Sequence, residues 1–196
     1  MLNIAVFASG RGSNFEALYR AIIDQHISAK IVVVISNNSA SGALTLAQSF
    51  GIPAYHLSQR QFPDPKHYQQ KILETLRAFG VNFIVLAGYM KKLDAEIIRE
   101  FPNRIINIHP ALLPKYGGKG MFGMHVHTAV IEAKERESGA TVHFVNEVYD
   151  EGNIIAQQTV AVDANDTPET LAAKVLRIEH QLLPSVIKKF SEQITK

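Results

Sequence analysis

Short apolar runs that alternate with longer stretches of helical spacing restrict this chain more than any other feature. Residues 3–8 (NIAVFA), 31–36 (IVVVIS), 82–87 (NFIVLA) and 104–109 (RIINIH) are apolar and rich in β-branched side chains, as strands covered on both faces must be. Between them, residues 14–25, 41–50 and 65–79 carry apolar positions three and four apart, the spacing of amphipathic helices. Strand and helix in alternation build right-handed βαβ units and a parallel sheet.

The second half changes period. Residues 140–148 (ATVHFVNEV) and 154–162 (IIAQQTVAV) form an expected hairpin through Tyr149-Asp150-Glu151-Gly152-Asn153, antiparallel additions to the sheet. Thr167-Pro168-Glu169 opens a last helix, threonine as N-cap and proline at the first helical position, running toward Lys189. The expected fold class is α/β: a Rossmann-like, open, mostly parallel sheet with helices on both faces and a C-terminal antiparallel hairpin. At 196 residues the chain suits a single domain, 1–196.

Composition narrows the partners. A net charge of +2 with acids and bases dispersed offers no polybasic tract for nucleic acid or a membrane surface. No cysteine is present, which removes disulfides, thiolate metal sites and cysteine nucleophiles. No apolar run approaches the roughly 18 residues of a membrane span, and no basic leader precedes the first strand. A cytoplasmic protein acting on small molecules is expected.

Between the first strand and its helix lies Ser9-Gly10-Arg11-Gly12-Ser13-Asn14. A glycine corner there places backbone N–H groups at a helix N-terminus, where unsatisfied donors and the dipole favour an anion, phosphate first. Ser13 with Glu16 equally matches a capping box, a finished helix start with no ligand. A dinucleotide site would continue to a third glycine where Phe15 stands, and would place an acid after the second strand, where the sequence reads Ser36-Asn37-Asn38-Ser39. No Gly-Lys-Ser/Thr follows either, so a monophosphate fits best.

In the run IINIHPALLPKYGG, Asn107 and His109 share one face of a strand while Ile106 and Ile108 take the other. An amide and an imidazole at the carboxyl end of an inner strand sit where ligands of open α/β sheets bind. The alternative is a pair of hydrogen-bonded core residues. Asp150 alone reads as a turn residue beside Glu151-Gly152.

These motifs, FASGRGSNFEAL, VVVISNNSASGALTLAQSFGIPAY, VLAGYMKKL, INIHPALLPKYGG, SGATVHFVNEVYDEGNII and RIEHQLLP, resemble the phosphoribosylglycinamide formyltransferase family from end to end. The resemblance implies transfer of a formyl group from 10-formyltetrahydrofolate, a co-substrate, to the amine of glycinamide ribonucleotide in purine biosynthesis, without a metal. It implies a catalytic set of Asn107, His109 and Asp150, with Asp150 favouring the imidazolium of His109 and raising its pKa. Substrate binding falls on Gly12, Ser13, Asn14 and Glu179. The folate pocket maps to Leu86, Met90, Lys91, Lys92 and Leu93, with Asn107 beside it and Lys66 one place beyond the position of a family basic residue. Phosphate binding thus belongs to about residues 1–100, folate and catalysis to about 101–196. The assembly expected is a monomer or homodimer.

Departures from the family pattern are Pro65 at that basic position, Lys92 where an apolar residue is common, and a longer loop at residues 117–124. The pair His125 and His127 fits neither a helical zinc motif nor a Cys/His cluster. His125 is expected near the formyl group, and His127 to cap or pack a helix. Other users of the same folate, the methionyl-tRNA formyltransferases and the formyltetrahydrofolate hydrolases, are expected to carry further domains, and a non-catalytic nucleotide binder has no need of the Asn107, His109 and Asp150 set.

Overall fold

A computed structural model describes residues 1–194. Its order is β1 (Leu2–Phe7), α1 (Ser13–Asp24), β2 (Ala29–Ser36), α2 (Gly42–Ser49), β3 (Ala54–His56), α3 (Pro65–Ala78), β4 (Phe83–Leu86), α4 (Ala95–Glu100), β5 (Ile105–His109), α5 (Met124–Glu132), β6 (Glu137–Phe144), β7 (Ile154–Ala161) and α6 (Pro168–Ile194). The strands form one seven-stranded sheet in the order β3-β2-β1-β4-β5-β6-β7. From β3 to β5 the pairing is parallel; β6 runs antiparallel to both β5 and β7.

Alternation within the strands sorts side chains into two apolar layers. Leu2, Ile4 and Val6 of β1 join one core with the buried stripe Leu171, Val175, Ile178, Leu182 and Val186 of α6. Ala5 and Phe7 enter the other, with Ile72, Leu73 and Leu76 of α3 and Ile97 of α4. The chain proceeds outward from β1 to β3 and then restarts at β4 on the other side of β1. Such a switch point leaves a crevice beyond the carboxyl ends of β1 and β4, where ligands of open sheets bind.

Three elements lie outside the sequence expectation. β3 has three residues, α4 has six, and α5 begins at a glycine N-cap without a side-chain cap, so none carries a strong local signal. The hairpin is also redrawn. β6 begins at Glu137 and ends at Phe144, because pairing with β7 stops at His143↔Ile154 after a bulge between Val142 and His143. Residues 145–153 therefore leave the sheet as one long connection, and Asp150 within it adopts φ 56°. Thr167 caps α6 as expected, its hydroxyl accepting from Thr170 N at 3.3 Å, but the helix continues past Lys189 to Ile194.

Candidate active site

The crevice is a cavity of about 660 Å³. At one end lies the glycine corner. Gly12 is the N-cap of α1 with φ 86° and makes no side-chain cap. Ser13 is already inside the helix, so the capping box with Glu16, one of the two readings of the sequence, is not formed; Glu16 binds Arg20, one turn on, at 2.7 Å. Two conditions demand glycine at position 12: the left-handed backbone, and the approach of α2, since a Cβ there would lie 2.8 Å from the Ala43 Cα. The close backbone neighbour is thus α2 itself. Two carbonyls of the corner are already engaged. Gly10 O accepts from Ser41 Oγ (2.8 Å) and Ala43 N (3.2 Å), and Ser9 O from Asn38 Nδ2 (3.2 Å). The first N–H groups of α1, those of Ser13 and Asn14, have no intrahelical acceptor by construction.

Across from this corner, Ala172, Leu176 and Glu179 of α6 line the cavity, one helical stripe at spacings of four and three. Glu179 is buried and accepts from Asn14 Nδ2 at 3.3 Å. Burial pushes its carboxyl up to about 7, more than the Asn14 hydrogen bond lowers it. Asn14 Oδ1 is buried and has no hydrogen-bond partner. Both residues line the cavity beside the helix terminus; a carboxyl and an amide there can bind the hydroxyls of a sugar, and the helix terminus suits a phosphate.

The other end is built by side chains. Asn107 and His109 share a face of β5, and the antiparallel register sets His143 of β6 directly opposite Asn107 and Thr141 opposite His109. Asp150 reaches this group from the long connection. Its Oδ2 lies 3.7 Å from His109 Nδ1, its Oδ1 lies 3.5 Å from His143 Nε2, and Gly118 N donates to Oδ2 at 2.9 Å. His109 Nε2 donates to Tyr116 O at 2.8 Å, an assignment forced by the carbonyl's inability to donate. Burial raises the Asp150 carboxyl, yet His143, His109 and the Gly118 N–H together hold it below the usual carboxylate range. For His109 the balance reverses. Burial lowers its pKa by more than Asp150 and the Tyr116 carbonyl raise it, so the expected elevation is corrected: Asp150 acts in the anticipated direction, and desolvation outweighs it.

Leu86, Met90, Lys91, Lys92 and Leu93 line the cavity between the two ends. Leu86 and Leu93 are at the same time members of the apolar layer beneath. Lys92 Nζ sits 5.8 Å above the Tyr149 ring, which gives a cation at this position a partner. Lys66 is the exception among the sequence candidates. It lies in the first turn of α3, exposed, away from the cavity lining. His125 is likewise exposed, near Gly120 O at 3.3 Å; His127 is the histidine of that pair that is buried and lines the cavity. Burial and the neighbouring His109 both lower its pKa. Among the described residues no group of three or more His, Asp or Glu could hold a metal ion, and no helix is long and apolar enough to cross a membrane.

The site residues that sequence reasoning missed are His143 and the backbone of Tyr116 and Gly118. His143 was visible only as one more histidine, since its position opposite Asn107 depends on the β5–β6 register. No local pattern marks a carbonyl or an N–H that happens to face an imidazole or a carboxylate.

An open α/β sheet whose switch-point crevice joins a helix start with unpaired N–H donors to an Asn-His-Asp cluster defines a class. A family model described as formyl transferase matches residues 2–187, and the chain belongs to this family. It is 44% identical over 194 residues to the chloroplastic phosphoribosylglycinamide formyltransferase of Arabidopsis thaliana, covering 98% of this chain and 66% of that protein. It is 35% identical to the phosphoribosylglycinamide formyltransferase of Bacillus subtilis, covering 96% of this chain and 94% of the relative. The chain spans 66% and 61% of its two plant relatives' length. Among solved structures, glycinamide ribonucleotide transformylase 1 of Symbiobacterium toebii superposes with a TM-score of 0.91 at 35% identity, covering 98% of this chain and 89% of that one. Phosphoribosylglycinamide formyltransferase of Brucella melitensis gives 0.89 at 40% identity, covering 97% and 96%.

Proposed function

We propose that this protein transfers the formyl group of 10-formyltetrahydrofolate to the amine of glycinamide ribonucleotide. The observation that carries the reading is one cavity with a phosphate-suited helix start at one end and the Asn107-His109-Asp150 cluster at the other. The ribose phosphate lies at Gly12, Ser13 and Asn14, the ribose hydroxyls at Asn14 and Glu179, and the folate along Leu86 and Met90 to Leu93. The amine attacks the formyl carbon; as the new C–N bond forms, the carbonyl electrons move to oxygen. Preorganised donors stabilise that oxyanion, and Asn107 with His109 supplies them: the Nε2–H is present in the neutral ring, and the growing negative charge, with Asp150, draws the ring toward the imidazolium that burial opposes. The oxyanion then competes with the Tyr116 carbonyl for the Nε2–H of His109. Collapse breaks the bond to N10 of the folate, which leaves with a proton equal to the one the amine gives up. Asp150, ionised at neutral pH, offsets the charge on the imidazolium.

The names of the relatives favour this acceptor over other acceptors of the same formyl donor. The test is to mix the protein with glycinamide ribonucleotide and 10-formyl-5,8-dideazafolate and follow release of the deformylated folate; no release in the presence of the ribonucleotide overturns the assignment. A single domain over residues 1–196, a cytoplasmic setting, small-molecule partners without nucleic acid or membrane, and a monomer or homodimer complete the reading. Limited proteolysis, cell fractionation and sedimentation test them.

A further inference from the structure

Ser9 opens the glycine corner, is buried and does not line the cavity, yet each of its polar atoms is engaged. Strands β1 and β4 pair in parallel as far as Phe7↔Leu86. Their ladder continues past the strand ends, with Ala87 N donating to Phe7 O at 2.8 Å and Ser9 N donating to Gly88 O at 3.0 Å. In a parallel ladder a residue that donates to one partner accepts, at its own carbonyl, from the partner two places on. Ser9 O would therefore take the Met90 N–H, but it already accepts from Asn38 Nδ2 at 3.2 Å. The hydroxyl stands in its place: Oγ accepts from Met90 N at 2.9 Å and donates to Asn37 Oδ1. Ser9 thus joins three segments, the corner at residues 9–12, the turn at 88–90 and the β2–α2 connection at 37–38. Tyr89 is held separately, its ring edge-on to Phe7 at 5.3 Å and its hydroxyl 3.2 Å from that of Tyr68. The turn therefore has an anchor of its own, and what the Ser9 hydroxyl adds is the placement of Met90.

Resting on the formyl-transfer reading above, we propose that Ser9 is a positioning residue that sets the folate wall, Met90 to Leu93, against the ribonucleotide corner, Gly12 to Asn14. The two walls belong to different connections, one after β1 and one after β4. Each can hold its own ligand alone, and only their relative placement brings the formyl carbon to the amine. A misplacement of about 1 Å between reacting groups costs on the order of 10²-fold in rate, so a clasp between the two connections contributes rate rather than affinity. Without the hydroxyl the Met90 N–H loses its acceptor, and the folate wall is free to shift relative to the corner. Ser9 touches neither ligand; it acts through the backbone of Met90.

The test is Ser9→Ala, measured per folded molecule. Its single-turnover rate with glycinamide ribonucleotide and 10-formyl-5,8-dideazafolate both saturating should fall by about tenfold, part of the loss that misplacement causes. Calorimetric titration of each ligand alone should give dissociation constants within about threefold of wild type, because the groups that touch each ligand are unchanged. Hydrogen exchange at the Met90 amide should accelerate by about tenfold or more while exchange at Ala87, one rung back on the ladder, stays as it was. A single-turnover rate within about twofold of wild type overturns the proposal. A loss of rate matched by an equal loss of affinity for both ligands also overturns it, since that is general loosening, and so does unaltered exchange at Met90. Ser9→Cys keeps the side-chain volume and replaces the hydroxyl with a weaker acceptor; it carries the same test in the same direction if the alanine variant does not fold. If the wild-type protein transfers no formyl group to the ribonucleotide, the functional reading fails; if it does and the folded variant keeps its rate, this inference alone fails.

Discussion

The two ends of the cavity are made of different materials. The end proposed for the phosphate is mostly backbone: a left-handed glycine, the first N–H groups of α1, and a Gly10 carbonyl that accepts from Ser41 and Ala43. Its two ionisable side chains are Arg11, which lines the cavity, and Glu179, whose carboxyl burial pushes up to about 7. The end proposed for catalysis is side chains: Asn107, His109, His143 and Asp150 from three segments of chain, with contacts of 3.1 to 3.7 Å. A backbone site offers donors of fixed number at any pH. A side-chain cluster can gain and lose protons, as the proposed reaction requires, and each member depends on the others' positions.

The largest effect should come from the catalytic end. Replacing His109 or Asn107 with alanine removes one donor to the oxyanion, and each should lower kcat by about 10²–10³ with KM values little changed, since the charge exists only in the transition state. The double variant should lose less than the product of the single losses. Kinetics normalised to folded protein, alongside thermal melts, check this; near-wild-type turnover per folded His109→Ala molecule would remove His109 from the chemistry.

Breaking the backbone end should look different. Gly12→Ala forces a Cβ onto Ala43 and into a left-handed backbone that costs roughly 1 kcal/mol or more. Its lowered melting temperature should accompany a loss of ribonucleotide affinity larger than the loss for the folate. Calorimetric titration of both ligands separates the outcomes, and equal weakening of the two would detach the phosphate from this corner.

Glu179 sharpens the contrast in pH. Its folded pKa, about 7 against an ordinary 4.5, means the native state keeps the proton longer than the unfolded chain does. The contribution of Glu179 to stability is therefore most favourable below about 4.5, declines as pH rises through the window from 4.5 to 7, and carries its full penalty above it, on the order of 3 kcal/mol. Glu179→Gln should raise the melting temperature by several degrees at pH 8 and leave it nearly unchanged at pH 4. An equal change at both values would show that burial does not hold the carboxyl neutral.

A smaller shift tests the charge coupling. Asp150→Asn removes the group that opposes desolvation at His109, so the histidine's pKa, already below its ordinary value, should fall further in an imidazole NMR titration. No fall would uncouple the pair. The smallest effect is expected at Lys66, exposed on α3 and outside the cavity lining. Lys66→Ala should leave folate affinity within twofold, the scale of an exposed charge in screened solvent.

Much of the glycine corner was legible because its information is local. A strand, Gly10, Gly12 and a helical period occupy consecutive residues, and an anion site at a helix start follows from backbone geometry. The role of Ser13 was not, because a capping box and a ligand-free first turn share the same letters and differ in which residue takes the N-cap dihedral angles. Asn107 and His109 were legible as a pair because two residues apart on a strand is one face. Their chemistry was not, and the family resemblance, rather than the spacing, joined Asp150 to them.

The amino-acid sequence by itself determined the alternation of strand and helix, the glycine corner, the threonine cap of α6 and the shared face of Asn107 and His109, all consequences of periodicity and backbone propensity over a few residues. Only the tertiary structure decided that β6 turns antiparallel with His143 opposite Asn107, that Gly12 must also make room for Ala43, that Asp150 faces both histidines, that Lys66 stands apart from the cavity, and that burial outweighs Asp150 in setting the proton affinity of His109. Register, close approach and desolvation are properties of surfaces brought together from distant parts of the chain, and no local run of residues encodes them.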